Sequence, residues 1–333
     1  MEESEALIRI IKAAIRRQGL TSSLEAYRLF NGFYEGVPGL VLDRYASALI
    51  IFDHTDEGVS QDLLQSICDW SLENLDNLES ILFKRRRSPS NGVKNGLLIH
   101  GLAVPEKITE LGVTYALNLQ LNQDASFYID TRHLRQWLLE HSLGWRVLNT
   151  FAYTGSLGVA AGAGGAQQVV QTDLNSRFLD MAKQSCKMND LSPEKCKILA
   201  GDFFRVVGRM RHNKRLFDCA ILDPPYFSVT GAGRVDLLGE TTRLLNKIRP
   251  LVAHEGWLVV INNALFLPGK DFMDELKELC KSPYLSFMGK IDVPLDVTGY
   301  PETIVESPPV DPAPFNHPTK IALLNVLRKD QQK

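Results

Sequence analysis

Three aspartates, Asp173, Asp202 and Asp223, each close an apolar run or follow within two residues of one, at residues 168–172, 196–200 and 217–222. A fourth run, 146–151, leads into Asn149-Thr150-Phe151-Ala152-Tyr153-Thr154-Gly155. Open parallel sheets bind ligands beyond the carboxyl ends of their strands, near the point where the strand order reverses. Each acid at such an end has a job it could do. Asp173, with Leu174 beside it, can accept both hydroxyls of a ribose, and that suits a nucleotide without a 2′-phosphate. Asp202 can accept from an adenine amino group, with Phe203 as an apolar wall. A small turn at Gly155, with a helix start behind it, lets a cofactor approach the backbone. Asp223-Pro224-Pro225-Tyr226 faces the reacting end. Its prolines have no N–H, so the loop presents carbonyls and a carboxylate as acceptors. Tyr226 offers a flat face on which a base could stack, worth about 1–3 kcal/mol.

The elements that must hold these residues come from periodicity. From residue 130 onward strands alternate with helices: helices at 130–142, 157–163, 176–189, 203–210, 235–253 and 271–281, strands at 146–151, 168–172, 196–200, 217–222 and 257–262. Parallel strands need crossovers of this length, so the pattern predicts an α/β open sheet. A run at 320–327 follows a Pro-rich stretch with no helix in it, and is expected as the antiparallel last strand of a mixed sheet. The first 119 residues read as a small α+β domain: a helix at 6–17, strands at 40–45, 48–52 and 80–84, a helix at 61–75, and two further strands near 96–101 and 112–119. The expected boundary falls between 119 and 120.

Composition narrows the classes. The chain has 333 residues, 44% hydrophobic and 23% charged, and a formal net charge of -2. That excludes wholesale disorder and a uniformly basic coat, but leaves room for a local basic patch. Lys84-Arg85-Arg86-Arg87 is the compact basic run, and it is expected to contact RNA phosphates. No apolar run is long enough to span a bilayer, and the N-terminus opens acidic. Cys68, Cys186, Cys196, Cys219 and Cys280 form no CxxC, and are expected as reduced thiols of a cytoplasmic protein. No metal site is expected, since the histidines and cysteines make no ligand cluster.

Certain blocks, in order, resemble a known family. They are Phe127-Tyr128-Ile129-Asp130-Thr131-Arg132, Leu148-Asn149-Thr150-Phe151-Ala152-Tyr153-Thr154-Gly155 and Asp223-Pro224-Pro225-Tyr226-Phe227, with Arg28-Leu29-Phe30-Asn31-Gly32 and the stretch 36–45 upstream. The chain resembles class I S-adenosylmethionine-dependent methyltransferases, with their Rossmann-like fold. More narrowly, it is similar to the RlmI-type large-subunit ribosomal RNA 5-methylcytosine methyltransferases, from about residue 24 to 265. The resemblance implies S-adenosyl-L-methionine as cofactor. It implies that Tyr128, Arg132, Phe151, Asp173, Asp202 and Asp223 line its site; the strand-end reading adds Asn149, Tyr153, Gly155, Leu174 and Phe203 as expected cofactor contacts. Arg132 could pair with the methionine carboxylate. The family's N-terminal RNA-binding PUA domain is expected to be absent, because the upstream block lies so near the start. The superfamily GxGxG is reduced to Gly155 and Gly158.

The atom that receives the methyl group stays open. A cytosine carbon normally needs a thiolate to add to the ring, and no cysteine follows Asp-Pro-Pro. An exocyclic amine needs none, and Asp223 with the Pro224 carbonyl could orient it. Loop chemistry leans towards nitrogen and the resemblance towards cytosine C5. A base in a structured RNA would be flipped out of its stack in either case. RNA, ribosomal above all, is the expected partner, with no membrane and no metal; a homodimer stays open. The alternatives are a methyltransferase for a small-molecule or protein nitrogen, and a non-catalytic nucleotide- or RNA-binding assembly factor. Asp173 alone could be a helix cap and Asp202 alone a turn residue.

Overall fold

Apolar periodicity places most elements, and a computed structural model describes residues 3–20, 23–225, 227–230, 233–236 and 241–329, without the side chains of 227–236. The chain forms two units, Met1–Asp130 with Pro294–Pro309, and Thr131–Val293 with Val310–Lys333. The first therefore runs beyond residue 119, and it takes back part of the Pro-rich stretch that sequence alone assigns to the second.

The first unit contains α1 (Glu3–Arg17), β1 (Ala26–Asn31), α2 (Gly32–Glu35), β2 (Leu40–Tyr45), β3 (Ala48–Asp53), α3 (Gln61–Asn74), β4 (Ser80–Arg85), α4 (Asn91–Asn95), β5 (Leu97–His100), β6 (Lys107–Glu110) and β7 (Val113–Ala116). Strands β1 to β5 make one sheet in chain order, antiparallel except for β3 against β4, which α3 connects. Ser60 starts α3 by accepting from Leu63 N at 3.2 Å. Ile10 and Ala13 of α1 and Ile67 of α3 bury against Leu42, Leu49 and Ile51 of the sheet. Polar groups hold the returning segment. Arg17 is wholly buried; its Nη1 donates to Glu35 Oε1 at 2.9 Å, and its Nε and Nη2 donate to the Asp296 carbonyl at 3.1 and 3.0 Å. Asn31 Nδ2 donates to the Val297 carbonyl at 2.9 Å. Hydrophobic periodicity carries no trace of such contacts, which is why the segment's allegiance is invisible in the sequence.

The second unit contains α5 (Arg132–His141), β8 (Arg146–Thr150), α6 (Ser156–Ala163), β9 (Gln168–Asp173), α7 (Ser176–Met188), β10 (Cys196–Ala200), α8 (Phe203–His212), β11 (Phe217–Leu222), β12 (Phe227–Thr230), β13 (Gly233–Asp236), α9 (Thr241–Ile248), β14 (Val252–Asn262), α10 (Gly269–Leu279), β15 (Leu285–Ile291) and β16 (Lys320–Val326). The seven-stranded sheet runs β10-β9-β8-β11-β14-β16-β15. Strands β10, β9, β8, β11 and β14 are parallel, and β16 is antiparallel to both its neighbours. The expected mixed α/β sheet with an antiparallel last strand is present. Its order reverses between β8 and β11, so the ligand crevice of such a sheet belongs at their carboxyl ends. β11 is buried on both faces, as a central parallel strand covered by helices should be, and Phe217, Ala220 and Leu222 join the core beneath α8 and α9.

Two expectations need correction. The helix read over 235–253 is shorter: Val235 and Asp236 lie in β13, α9 spans Thr241–Ile248, and Val252 already starts β14. The edge strand β15 was not expected. Its Gly289 sits at a register shift against β16, and most of its residues are partly exposed, so no alternation marks it.

Candidate active site

The loop after β8 is bent sharply. Phe151, Tyr153 and Gly155 all have left-handed backbones, with φ of 55°, 51° and 84°. For the two non-glycine residues this costs on the order of 1–3 kcal/mol each, and such strain collects at ligand-binding turns. The neighbouring strand tip holds the loop in place. Ala152 N donates to the Thr172 carbonyl at 3.0 Å, and Tyr153 N donates to Asp173 Oδ2 at 2.9 Å. Asp173 Oδ1 accepts from Asn175 N at 2.9 Å, and the Asp173 carbonyl accepts from Gly201 N at 2.9 Å. One residue at the end of β9 thus ties together the chain leaving β8, β9 and β10.

Burial raises the Asp173 carboxyl above its ordinary value, while the amides of Asn175, Tyr153 and Leu174 pull it back down. Each oxygen accepts one backbone amide in the bonds described, and an ionised carboxylate has about four lone-pair sites. With the Leu174 amide also acting on it, capacity for at least one further donor, such as a ribose hydroxyl, remains. Leu174 beside it is 60% exposed, a large apolar surface at a strand tip. The helix-cap alternative for Asp173 fails, because Asn175 caps α7 by accepting from Arg177 N at 3.0 Å.

Asp202 does cap a helix: its Oδ1 accepts from Arg205 N at 3.2 Å at the start of α8. That fixes the carboxyl next to Phe203, whose ring stacks on Phe151 at 4.8 Å and 22°. The tips of β8 and β10 thus meet through an aromatic pair. On the other side, β8 pairs with β11 up to Thr150 opposite Leu222, and Thr150 Oγ1 donates to the Ile221 carbonyl at 2.7 Å. Phe151 and Asp223 are the next residues beyond that paired end. Asp223 is half-buried, Pro224 buried and Pro225 exposed. Tyr226 lies outside the described residues.

Arg132 is buried at the first position of α5. Tyr153 is half-buried, edge-on to Phe178 at 4.5 Å. Tyr128 belongs to the first unit, where its exposed ring directs the hydroxyl to Asp124 Oδ2 at 3.2 Å.

Three sequence expectations change. Asn149 is 1% exposed, and its Nδ2 donates to Gln171 Oε1 at 3.1 Å, so it stands behind the site wall. Gly155 answers a packing demand within the protein: a Cβ there would lie 2.4 Å from Ala182 Cβ and 2.9 Å from Gln171 Oε1. Lys84 is 2% exposed, with its ammonium donating to the Asn122 and Asp124 carbonyls at 2.8 and 2.6 Å. Burial pushes it down to about 8, and it presents nothing to a phosphate. Arg85 pairs with Asp53 at 3.6 Å and Arg87 pairs with Asp56, while Arg86 is exposed.

The tip of β14 was overlooked. Asn262 is buried there, with Oδ1 accepting from Ala264 N at 3.0 Å. Lys320, opposite Asn262 in the sheet, donates to the Ala264 and Pro318 carbonyls at 3.0 and 2.6 Å, and burial pushes its ammonium down to about 8. Leu265 and Phe266 follow, both exposed. The available signal was Asn262-Asn263 directly after an apolar run.

A family model for S-adenosylmethionine-dependent methyltransferases matches residues 81–313. The chain belongs to that family. The ribosomal RNA large subunit methyltransferase I of Aeromonas salmonicida is 32% identical over 226 residues, which are 66% of this chain and 54% of that protein. Its namesake in Aeromonas hydrophila is 32% identical over 223 residues, 66% and 55% of the two chains. This methyltransferase-family chain thus spans about half the length of the curated relatives it matches. A methyltransferase solved in complex with SAH shares the fold with a TM-score of 0.83 at 19% identity, over 98% of this chain and 82% of the other. The tRNA m1G37 methyltransferase of M. jannaschii does so with a TM-score of 0.56 at 16% identity, over 89% and 78%. The donor set fits the family's cofactor: a carboxylate with spare acceptor capacity, an apolar tip and an aromatic pair on adjoining strand ends.

Proposed function

We propose that this chain transfers a methyl group from S-adenosylmethionine to a base of ribosomal RNA, as a cytoplasmic enzyme. The observation that carries the reading is the convergence on Asp173 of the chain leaving three strands, in a chain whose curated relatives are named for large-subunit ribosomal RNA. The bound cofactor supplies an electrophilic methyl on a sulfonium. Asp173 holds the ribose hydroxyls, and Leu174, Phe151 and Phe203 flank the adenine that Asp202 accepts from. Gly155 and Tyr153 shape the loop beside it, and Arg132 pairs with the amino-acid carboxylate. Asp223, Pro224, Pro225 and Tyr226 hold the acceptor in line with the methyl. Such a transfer depends mostly on positioning donor and acceptor. Residues 1–119 and the exposed Arg86 supply RNA contacts.

One observation favours a nitrogen acceptor over cytosine C5. Cys219, the cysteine nearest Asp223 in sequence, is wholly buried in β11, and burial pushes its thiol up, so it is no ring nucleophile. Mass spectrometry of ribosomal RNA nucleosides, from cells with and without this gene, tests both readings. A lost methylated nucleoside restored by the purified chain supports the proposal, and its identity assigns the atom. Unchanged ribosomal RNA sinks it.

A further inference from the structure

Away from the strand tips, a cavity of about 690 Å³ lies against the end of α7 and the start of β10. Lys183, Cys186, Lys187, Leu191, Ser192 and Cys196 are among its lining residues. Cys186 and Cys196 are free thiols, each 4% exposed, with their sulfurs 2.7 Å apart. Unbonded carbon atoms usually rest about 3.5–4.0 Å apart and sulfur is larger still, whereas a disulfide bond is about 2.05 Å. We propose that Cys186 and Cys196 form an oxidisable dithiol, a modification site that peroxide entering this cavity converts to an intramolecular disulfide. The inference stands independently of the methyl acceptor.

The surroundings favour a thiolate on one member of the pair. Gln171 Nε2 points at both sulfurs, 3.5 Å from Cys196 and 4.0 Å from Cys186. Cys186 donates its S–H to Cys196; this lowers the Cys196 thiol and raises that of Cys186, because one proton serves both. The other cysteines contrast with this. Burial pushes Cys68 up to about 11 and also raises Cys219 and Cys280. The step balances. The Cys196 thiolate attacks one peroxide oxygen, the O–O bond breaks, and hydroxide leaves a sulfenic acid. Cys186 sulfur then attacks the sulfenic sulfur, the S–S bond forms, and the S–OH oxygen leaves as hydroxide. With the two thiol protons, the products are one disulfide and two waters. The sulfurs lose two electrons and peroxide gains them. Exchange with an added dithiol reverses the step.

The test treats the reduced full chain with hydrogen peroxide, alkylates it in denaturant and maps the peptides by mass. Five alkylatable cysteines should fall to three, with Cys186 and Cys196 linked and dithiothreitol restoring both. Cys186→Ser should leave Cys196 as a sulfenic acid that dimedone traps. A link between any other pair, Cys196 carried to sulfinic acid without a link, or five thiols surviving peroxide each overturns the proposal. Mapping of the unsubstituted chain decides the matter even if the variant fails to fold.

Discussion

Replacing Asp173 with asparagine tests the centre of the site. The carboxylate accepts Tyr153 N and Asn175 N, one on each oxygen, both at 2.9 Å. A carboxamide has one acceptor oxygen, so its NH₂ must face one of those N–H groups. Losing a hydrogen bond to a charged acceptor costs about 1.5–3 kcal/mol. For the free protein, burial already outweighs those bonds and disfavours the charge, so removing it offsets that loss and stability should change by less than about 1 kcal/mol. A bound ribose would lose at least one charge-assisted bond, a further 1.5–3 kcal/mol or so, or roughly 10- to 150-fold in affinity. Calorimetry with S-adenosylmethionine measures that loss, and thermal unfolding of the same samples measures the first. The pH dependence carries a definite sign. The folded carboxyl lies above its unfolded value, so near neutrality this group costs the free protein stability, and the cost fades as pH falls through the raised value. Cofactor binding needs the ionised form, so affinity should fall over that same acid range, at higher pH than for an ordinary aspartate. Unchanged affinity in Asp173→Asn, with the fold intact, would refute the assignment of the ribose to this strand tip.

Other outcomes follow from the same geometry. Gly155→Ala should destabilise the fold by about 2–5 kcal/mol in thermal or urea unfolding, combining a left-handed backbone with overpacking against Ala182 and Gln171; weakened cofactor binding at unchanged stability would show the glycine serves the ligand instead. Glu35→Gln leaves buried Arg17 without its carboxylate and should cost about 3 kcal/mol, read as a lower urea midpoint; an unmoved midpoint would contradict the buried pair. Arg86→Ala should flatten the log–log salt dependence of RNA binding by about 0.7–0.9, the share of one phosphate contact, whereas Lys84→Met should leave that slope alone. Equal effects from the two substitutions would put Lys84 back among the RNA contacts.

Much of this molecule is local and therefore written in its sequence. The alternation of strands and helices from residue 130, the acids at 173, 202 and 223, and the antiparallel run at 320–326 depend on apolar period and turn chemistry over a few residues, and such patterns survive without long-range contacts. Tertiary structure alone decided which polar residues face a ligand and which are committed to the protein. Lys84 and Arg86 stand two apart in one basic run, yet Lys84 lies within β4 and turns inward onto two carbonyls, whereas β4 ends at Arg85 and Arg86 follows it exposed in the turn. Asn149 belongs to the most telling block, but cross-strand register sets it against Gln171. The Pro294–Pro309 segment returns to the first unit through Arg17, Glu35 and Asn31, residues more than two hundred positions away. Contacts of that span depend on the closed fold, and no window of sequence contains them.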